Sequence, residues 1–178
     1  ETRERVWTAG RCVTAEDLDT ALEQTRDVCA VVPALDPTPF EALTAAAWIL
    51  FAQARLDIAV LEVGLGGRLD AVNACDPIVS VVTHLSHDHT AILGHTLAEI
   101  AFEKCAVARN GRTLVVAQPS LCRSALRKHG LAPQLVGLGQ EVQAGPFALR
   151  GSDWRSAGVV GGPALGERID LEVALPGA

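Results

Sequence analysis

Three short, unbroken runs of mostly β-branched residues set the tightest limit on what this chain can fold into. They are DIAVL at 57–61, IVSVVT at 78–83 and TLVVA at 113–117. A strand with one wet face alternates apolar and polar residues. A run that does not alternate suits a strand covered on both faces, as in a parallel sheet. The intervening segments carry helix signals. Thr14-Ala15-Glu16-Asp17 offers an N-cap and an acidic first turn, and a helix is expected from there to about Cys29. Residues 33–39 read as a linker. Thr38-Pro39-Phe40-Glu41 then combines an N-cap, a proline at the first helical position and a glutamate at the third, a capping box that opens a buried, Ala-rich helix over 39–54. Thr96-Leu97-Ala98-Glu99 repeats that box and opens a helix expected to end near Asn110-Gly111. Alternating helices and buried strands predict an α/β fold, three-layered around a mostly parallel, Rossmann-like sheet.

From Ala132 onward glycine and proline punctuate short alternating stretches, such as 146–149 and 168–175, which read as a small antiparallel β lobe. The expected division is an α/β core over 1–131 and the lobe over 132–178. The 178 residues are 49% hydrophobic, enough for one domain with its own core. The net charge of -6, with no stripe of cations, argues against nucleic acid or an anionic membrane as partner. No apolar run approaches the roughly 20 residues a bilayer requires, and no signal-peptide pattern is present, so a cytoplasmic location is expected. Five widely spaced cysteines without a CxxC pair read as reduced, mostly buried thiols. The chain has no methionine, begins at Glu1 and stops at Pro176-Gly177-Ala178 just after a strand-like run, so it is read as a piece of a longer protein.

Ligands of an open parallel sheet gather beyond the carboxyl ends of its strands. Two strands here run into distinctive loops. The first loop is Glu62-Val63-Gly64-Leu65-Gly66-Gly67-Arg68-Leu69-Asp70. Glu62 follows four apolar residues and is expected at a strand tip in a partly dry place, where a carboxylate needs a partner or a metal. The glycines allow the backbone to approach a ligand closely. A tight turn with Glu62 in a salt bridge is the competing reading. The second loop contains His84, His87, Asp88 and His89. Metallo-β-lactamase-like hydrolases use H-x-H-x-D-H, but here the first two histidines are one residue too far apart, and only His95 and His129 remain as further ligands. For His84 and His87 a surface cluster without a role is the favoured reading.

Lys104 lies four residues after Ile100 and is expected to share the inward stripe of Leu97, Ile100, Ala101, Cys105 and Ala108. Burial favours the neutral form of a lysine. A neutral amine can combine with carbon dioxide to give a carbamate, which turns a cation into an anionic oxygen ligand. Lysine is used only at 104 and 128, against thirteen arginines, and arginine does not release its proton. A lysine that reaches the surface, or pairs with Glu103 or Glu62, is the alternative on the residues alone.

Together these residues resemble the folylpolyglutamate/dihydrofolate synthases, relatives of the Mur ligases. Leu61-Glu62-Val63-Gly64-Leu65-Gly66-Gly67-Arg68-Leu69-Asp70-Ala71-Val72-Asn73 is similar to the family string LEVGLGGRLDATN. Asp88-His89-Thr90, Leu93-Gly94, Thr96-Leu97, Glu99-Ile100-Ala101 and Glu103-Lys104 follow the family pattern LDHT..LG.TL.EIA.EK. The match runs from about Pro39 to Gly111. Arg3-Glu4-Arg5-Val6 is similar to the segment after the family's phosphate-binding helix, and Leu175-Pro176-Gly177-Ala178 to the start of the hinge into its C-terminal domain. The resemblance implies a Mur-ligase-type central domain whose Gly-rich P-loop and C-terminal domain lie outside this chain. It implies an ATP-dependent ligase in which ATP phosphorylates a dihydropteroate or folate carboxylate and the acyl phosphate is then attacked by the amine of glutamate. By the same resemblance Glu62 is a ligand of one Mg2+, His89 and a carbamate on Lys104 hold a second, and the three form the catalytic set. Arg68, Asp70 and Asn73 lie beside the substrate, and the complete protein is a monomer.

The chain departs from the pattern at Val72, where threonine is usual, at His84 and His87, where small or apolar residues are usual, and at Cys105-Ala106 in place of Ala-Gly. None of these removes a candidate ligand. A metal-dependent hydrolase using His84, His87, Asp88 and His89, and a non-catalytic scaffold that has kept the Mur-ligase fold, are the alternative functions. The residues do not separate dihydropteroate from folate as acceptor.

Overall fold

In the computed structural model the described residues are 2–32, 35–137, 141–144, 147–158 and 165–174, with side chains for 2–32 and 35–137. Pro33, Pro146 and 175–178 therefore lie outside them. The chain divides into two compact units, Glu1–Gly64 and Leu65–Ala178.

In the first unit a 3-10 helix (Thr2–Arg5) leads into a hairpin, β1 (Trp7–Thr8) and β2 (Arg11–Cys12), turned by Ala9 and Gly10 at positive φ. Two helices follow, α1 (Ala15–Val31) and α2 (Pro39–Ala54). Thr14 caps α1 by accepting from the Asp17 amide, and the helix runs two residues past the expected end at Cys29. In α2 the capping box is complete: the Thr38 amide donates to Glu41 Oε2 at 2.7 Å, and the Glu41 amide to the Thr38 hydroxyl at 3.3 Å. Val6, Val13, Leu18, Ala21, Leu43, Ala46 and Leu50 form this unit's core. Only Leu43, Ala46 and Leu50 of α2 are buried, so the Ala-rich helix is less enclosed than expected. Its composition made every face apolar, but the unit covers one stripe.

The run 57–61 does not form a strand. An apolar β-branched run becomes a strand only beside a partner that completes its backbone hydrogen bonds. No strand pairs with it among the described residues, and Val60 stands 81% exposed.

The second unit holds the expected parallel sheet. Strands β3 (Val79–Val82), β4 (Thr113–Val116) and β5 (Gln134–Gly137) lie in that order, with Val82 opposite Val116 and Val116 opposite Gly137. Between β3 and β4 run a short helix α3 (Thr90–Leu93) and α4 (Leu97–Cys105), and α5 (Pro119–His129) crosses from β4 to β5. Right-handed crossovers between neighbouring parallel strands place both helices on one face. There Val82, Leu114 and Val116 meet Ile100, Ala101 and Cys105 of α4 and Cys122, Ala125 and Leu126 of α5. Each large aliphatic side chain buried here contributes about 1.5–3 kcal/mol. The cysteines are free thiols, and Cys105 and Cys122 are buried in this core. Their mutual hydrogen bond and burial push the Cys105 thiol well above its ordinary range.

Because β5 begins at Gln134, the parallel sheet continues past the division expected at 131/132. The antiparallel sheet follows it: β6 (Glu141–Ala144), β7 (Phe147–Gly158) and β8 (Leu165–Ala174), with an irregularity between Ser152 and Arg155. No helix among the described residues is long and apolar enough to cross a membrane.

The start of α4 is a compact device. The Thr96 amide donates to Glu99 Oε2 at 2.9 Å, and the Glu99 amide to the Thr96 hydroxyl at 3.2 Å. Gly94, at φ +113°, leaves room for that carboxylate: a Cβ there would stand 2.9 Å from Glu99 Oε2 and collide with its Cβ. Gly94→Ala is expected to destabilise the protein by about 2 kcal/mol in urea unfolding, from the strained φ and the displaced cap. Hydrogen bonds from the Thr96 hydroxyl and amide hold the Glu99 carboxyl below the ordinary glutamate range. A depressed carboxyl pKa contributes stability above that range and loses it as pH falls through the lowered value. Thermal melts across acidic pH are expected to show a smaller acid-induced loss in Glu99→Gln than in the wild type.

Candidate active site

The glycine-rich segment 65–75 lies on the last turn of α4, and each polar residue in it has a traceable bond. Asp70 ties the loop to itself: Oδ2 accepts from the Leu65 amide and Oδ1 from the Val72 amide, both at 3.0 Å. The Arg68 amide donates to the Glu103 carbonyl at 3.0 Å, and its Nε donates to both Glu103 carboxylate oxygens at 3.0 and 3.1 Å. Gly67, at φ +153°, makes the closest approach. A Cβ there would stand 2.9 Å from Val107 Cγ1, 3.1 Å from the Glu103 carbonyl and 3.2 Å from that of Lys104. Only glycine fits between loop and helix at this point.

Arg109 closes the arrangement. Its Nη1 donates to the carbonyls of Ala106, Val107 and Ala108 at 3.4, 3.1 and 3.1 Å. Its Nη2 donates to the Asn73 carbonyl and Oδ1 at 2.7 and 3.0 Å, and to the Cys75 carbonyl at 2.7 Å. Asn73 Nδ2 reaches the Ala106 carbonyl at 3.4 Å. This clamp explains why α4 stops at Cys105 and not near Asn110: the carbonyls after the helix are drawn to a guanidinium, away from further helical turns.

Lys104 sits in that last turn. Ile100, Ala101, Cys105 and Ala108 are buried, whereas Lys104 is only half-buried, so the expectation that it shares the inward stripe holds in part. The chain that crosses its turn does so at Gly67, which has no side chain to close over it. Its ammonium has no hydrogen-bond or ion-pair partner among the described residues. The alternative partner Glu103 is committed to Arg68.

Glu62 belongs to the first unit, in the unpaired segment after α2, and its side chain is exposed and not in the partly dry place expected of a strand tip. The missing strand is the reason. Glu62 also has no partner among the described residues, so the salt-bridge reading gains nothing.

The histidine loop leaves the end of β3. The ladder goes one rung past the strands, with the Ala117 amide donating to the Val82 carbonyl at 3.2 Å. The Gln118 side chain then takes over: Oε1 accepts from the Leu85 amide at 2.8 Å and Nε2 donates to the Leu85 carbonyl at 3.3 Å. His89 adopts φ +50° at the head of α3. Its carbonyl accepts from the Ile92 and Leu93 amides at 2.9 Å, and its amide donates to Asp88 Oδ1 at 2.8 Å. The imidazole Nε2 lies 3.6 Å from Asp88 Oδ2, both side chains largely exposed.

His84 and His87 are exposed, and no three histidine, cysteine, aspartate or glutamate side chains gather to hold a metal among the described residues. His129 is engaged elsewhere: its Nε2 lies 2.7 Å from the Phe102 carbonyl and its ring stacks on Phe102 at 3.9 Å. The hydrolase reading therefore finds no ligand set.

Sequence reasoning missed Arg109 and Gln118. A cation just past a helix end is a recognisable carbonyl-binding signal and could have found Arg109. Nothing local marks Gln118.

No protein-family model matches the chain. Among curated proteins, it is 37% identical over 182 residues to the "Probable bifunctional folylpolyglutamate synthase/dihydropteroate synthase" of Halobacterium salinarum, covering 94% of this chain and 22% of that protein. It is 46% identical over 89 residues to the dihydrofolate synthase/folylpolyglutamate synthase of Haemophilus influenzae, covering 50% of this chain and 20% of that protein. The chain thus spans about a fifth of the length of these relatives. Among solved structures, Escherichia coli FolC in complex with DHPP and ADP superposes with a TM-score of 0.70 at 31% identity, over 82% of this chain and 33% of that one. The bifunctional folylpolyglutamate synthase/dihydrofolate synthase of Yersinia pestis, complexed with AMPPNP and Mn ion, gives 0.67 at 32% identity, over 82% and 34%.

Arg109→Ala removes a donor from five carbonyls, of which those of Ala108, Asn73 and Cys75 keep no other side-chain donor among the described residues, and is expected to cost about 3 kcal/mol. Hydrogen exchange is expected to speed up across 65–75 before it does in β4. Arg109→Lys is not expected to restore protection, because one ammonium cannot span both groups of carbonyls.

Proposed function

Since the chain belongs to the folylpolyglutamate/dihydrofolate synthase family, we propose that it is the central segment of an ATP-dependent ligase. The reaction adds L-glutamate to dihydropteroate, to folates, or to both. The γ-phosphoryl group of ATP passes to the acceptor carboxylate and ADP departs. The amine of glutamate then attacks the acyl phosphate, and phosphate leaves as the amide forms. The observation that carries this reading is the 65–75 loop laid across the last turn of α4, beside a half-buried Lys104 that has no partner among the described residues. The likeness to proteins solved with ADP, DHPP, AMPPNP and Mn supports a nucleotide and a divalent cation.

Lys104 is assigned the carbamate. The lone pair of its neutral Nζ attacks carbon dioxide, an N–C bond forms, one C=O pair moves to oxygen, and Nζ gives a proton to water. Glu62 would be a ligand of one Mg2+, and His89 and this carbamate would hold a second. The donor chemistry fits magnesium, which takes carboxylate oxygens beside waters and phosphate oxygens, and the Glu62 carboxylate is exposed and has no partner among the described residues. Bound magnesium supplies charge neutralisation at the phosphates. Of the residues assigned to the substrate, Arg68 keeps both Nη groups free of partners among the described residues and can take a substrate carboxylate. Asp70 and Asn73 serve by holding the loop that carries it. The complete protein is placed in the cytoplasm as a monomer.

In the full-length protein, glutamate- and Mg2+-dependent release of phosphate from ATP is expected, and Lys104→Ala is expected to reduce turnover roughly 100-fold or more. Acetate or another short carboxylate, added to that variant, is expected to recover part of the rate. Undiminished turnover in Lys104→Ala removes the lysine from the mechanism.

A further inference from the structure

The parallel ladder between β3 and β4 ends at Val82 and Val116, with one further rung at Ala117. Beyond it the backbones diverge, one into the histidine loop and the other into α5. The Gln118 amide bridges the gap by accepting from the Leu85 amide and donating to the Leu85 carbonyl. That pair of bonds is what a neighbouring strand would supply, here made by one side chain 33 residues distant in sequence. The Leu85 side chain below it is buried at 2%. From this fixed point the chain reaches His89 in four residues. Along the way the Asp88 amide donates to the Ser86 carbonyl at 2.9 Å, and His89 is held in a left-handed conformation.

We propose that Gln118 is a positioning residue for His89: it extends the sheet by one side-chain rung and thereby sets the place of the imidazole relative to the loop's anchor. The proposal rests on the assignment of His89 to magnesium under the ligase reading. No other side chain among the described residues bonds to the backbone between Leu85 and Ser86, so the loop's anchorage depends on this amide. Gln118→Leu keeps the size and removes both bonds. Gln118→Glu keeps an acceptor for the Leu85 amide and loses the donor to its carbonyl.

Two measurements test it. In this chain, amide exchange at Leu85 is expected to accelerate at least roughly tenfold in Gln118→Leu, and less in Gln118→Glu, while exchange in β4 stays unchanged. In the full-length protein, the magnesium concentration giving half-maximal turnover is expected to rise roughly tenfold, the range found when a residue supporting a metal ligand is lost. Turnover at saturating magnesium and KM for glutamate are expected to change little.

Unchanged exchange at Leu85 overturns the proposal. Faster exchange with unaltered magnesium dependence also overturns it, since Gln118 is then only a loop fastener. A wild-type full-length protein without glutamate-dependent ATP turnover overturns the ligase reading. In that event the position of the His89 imidazole resonance in wild type and Gln118→Leu decides the positioning role.

Discussion

One guanidinium holds the site together. Arg109 gathers the carbonyls of 106–108 with those of Asn73 and Cys75, which lie 36 and 34 residues from it in sequence. Carbonyls at a helix end need donors, and so do the carbonyls of a loop that leaves its ladder. A planar fork of donors meets both demands at once, as an ammonium cannot. With the loop fixed there, Gly67 can lie against the Glu103 and Lys104 carbonyls, and Arg68 can reach the Glu103 carboxylate. That ion pair commits Glu103 to Arg68, and the lysine amine has no partner among the described residues.

Much of the string that makes the chain recognisable is therefore architecture. Asp70 and Asn73 close and anchor the loop, and Gly67 permits its approach. Gly94, Thr96 and Glu99 build the head of α4. The groups this scaffold leaves for the proposed chemistry are few: the outer edge of Arg68, the amine of Lys104 and the imidazole of His89.

Legibility in the sequence followed the range of the interaction concerned. The capping boxes at Thr38 and Thr96 could be read because donor and acceptor are three residues apart, and α2 begins and ends where expected. The runs at 78–83 and 113–117 are strands because partners lie beside them. The run at 57–61 has the same unbroken apolar character but no partner strand among the described residues, a difference its local sequence does not express. The end of α4 was misplaced because the local signal, Arg109 just past the carbonyls of 106–108, was not used, and its bonds to Asn73 and Cys75 leave no local pattern. The strand β5, QLVG, was absorbed into the expected lobe because four residues amid glycine and proline carry too little pattern to separate a parallel from an antiparallel neighbour. Lys104 was expected on the inward stripe and is half-buried, a degree of burial set by packing from other parts of the chain.

The central claim is that this arrangement presents Lys104 as a carbamate. A crystal structure of the full-length protein, grown with magnesium, bicarbonate and a non-hydrolysable ATP analogue, tests it most directly at the lysine Nζ. The account predicts density for a carboxyl group on Nζ, with a cation bound to its oxygens. A bare ammonium paired with a carboxylate, in crystals where the nucleotide and its metal are fully bound, would contradict it.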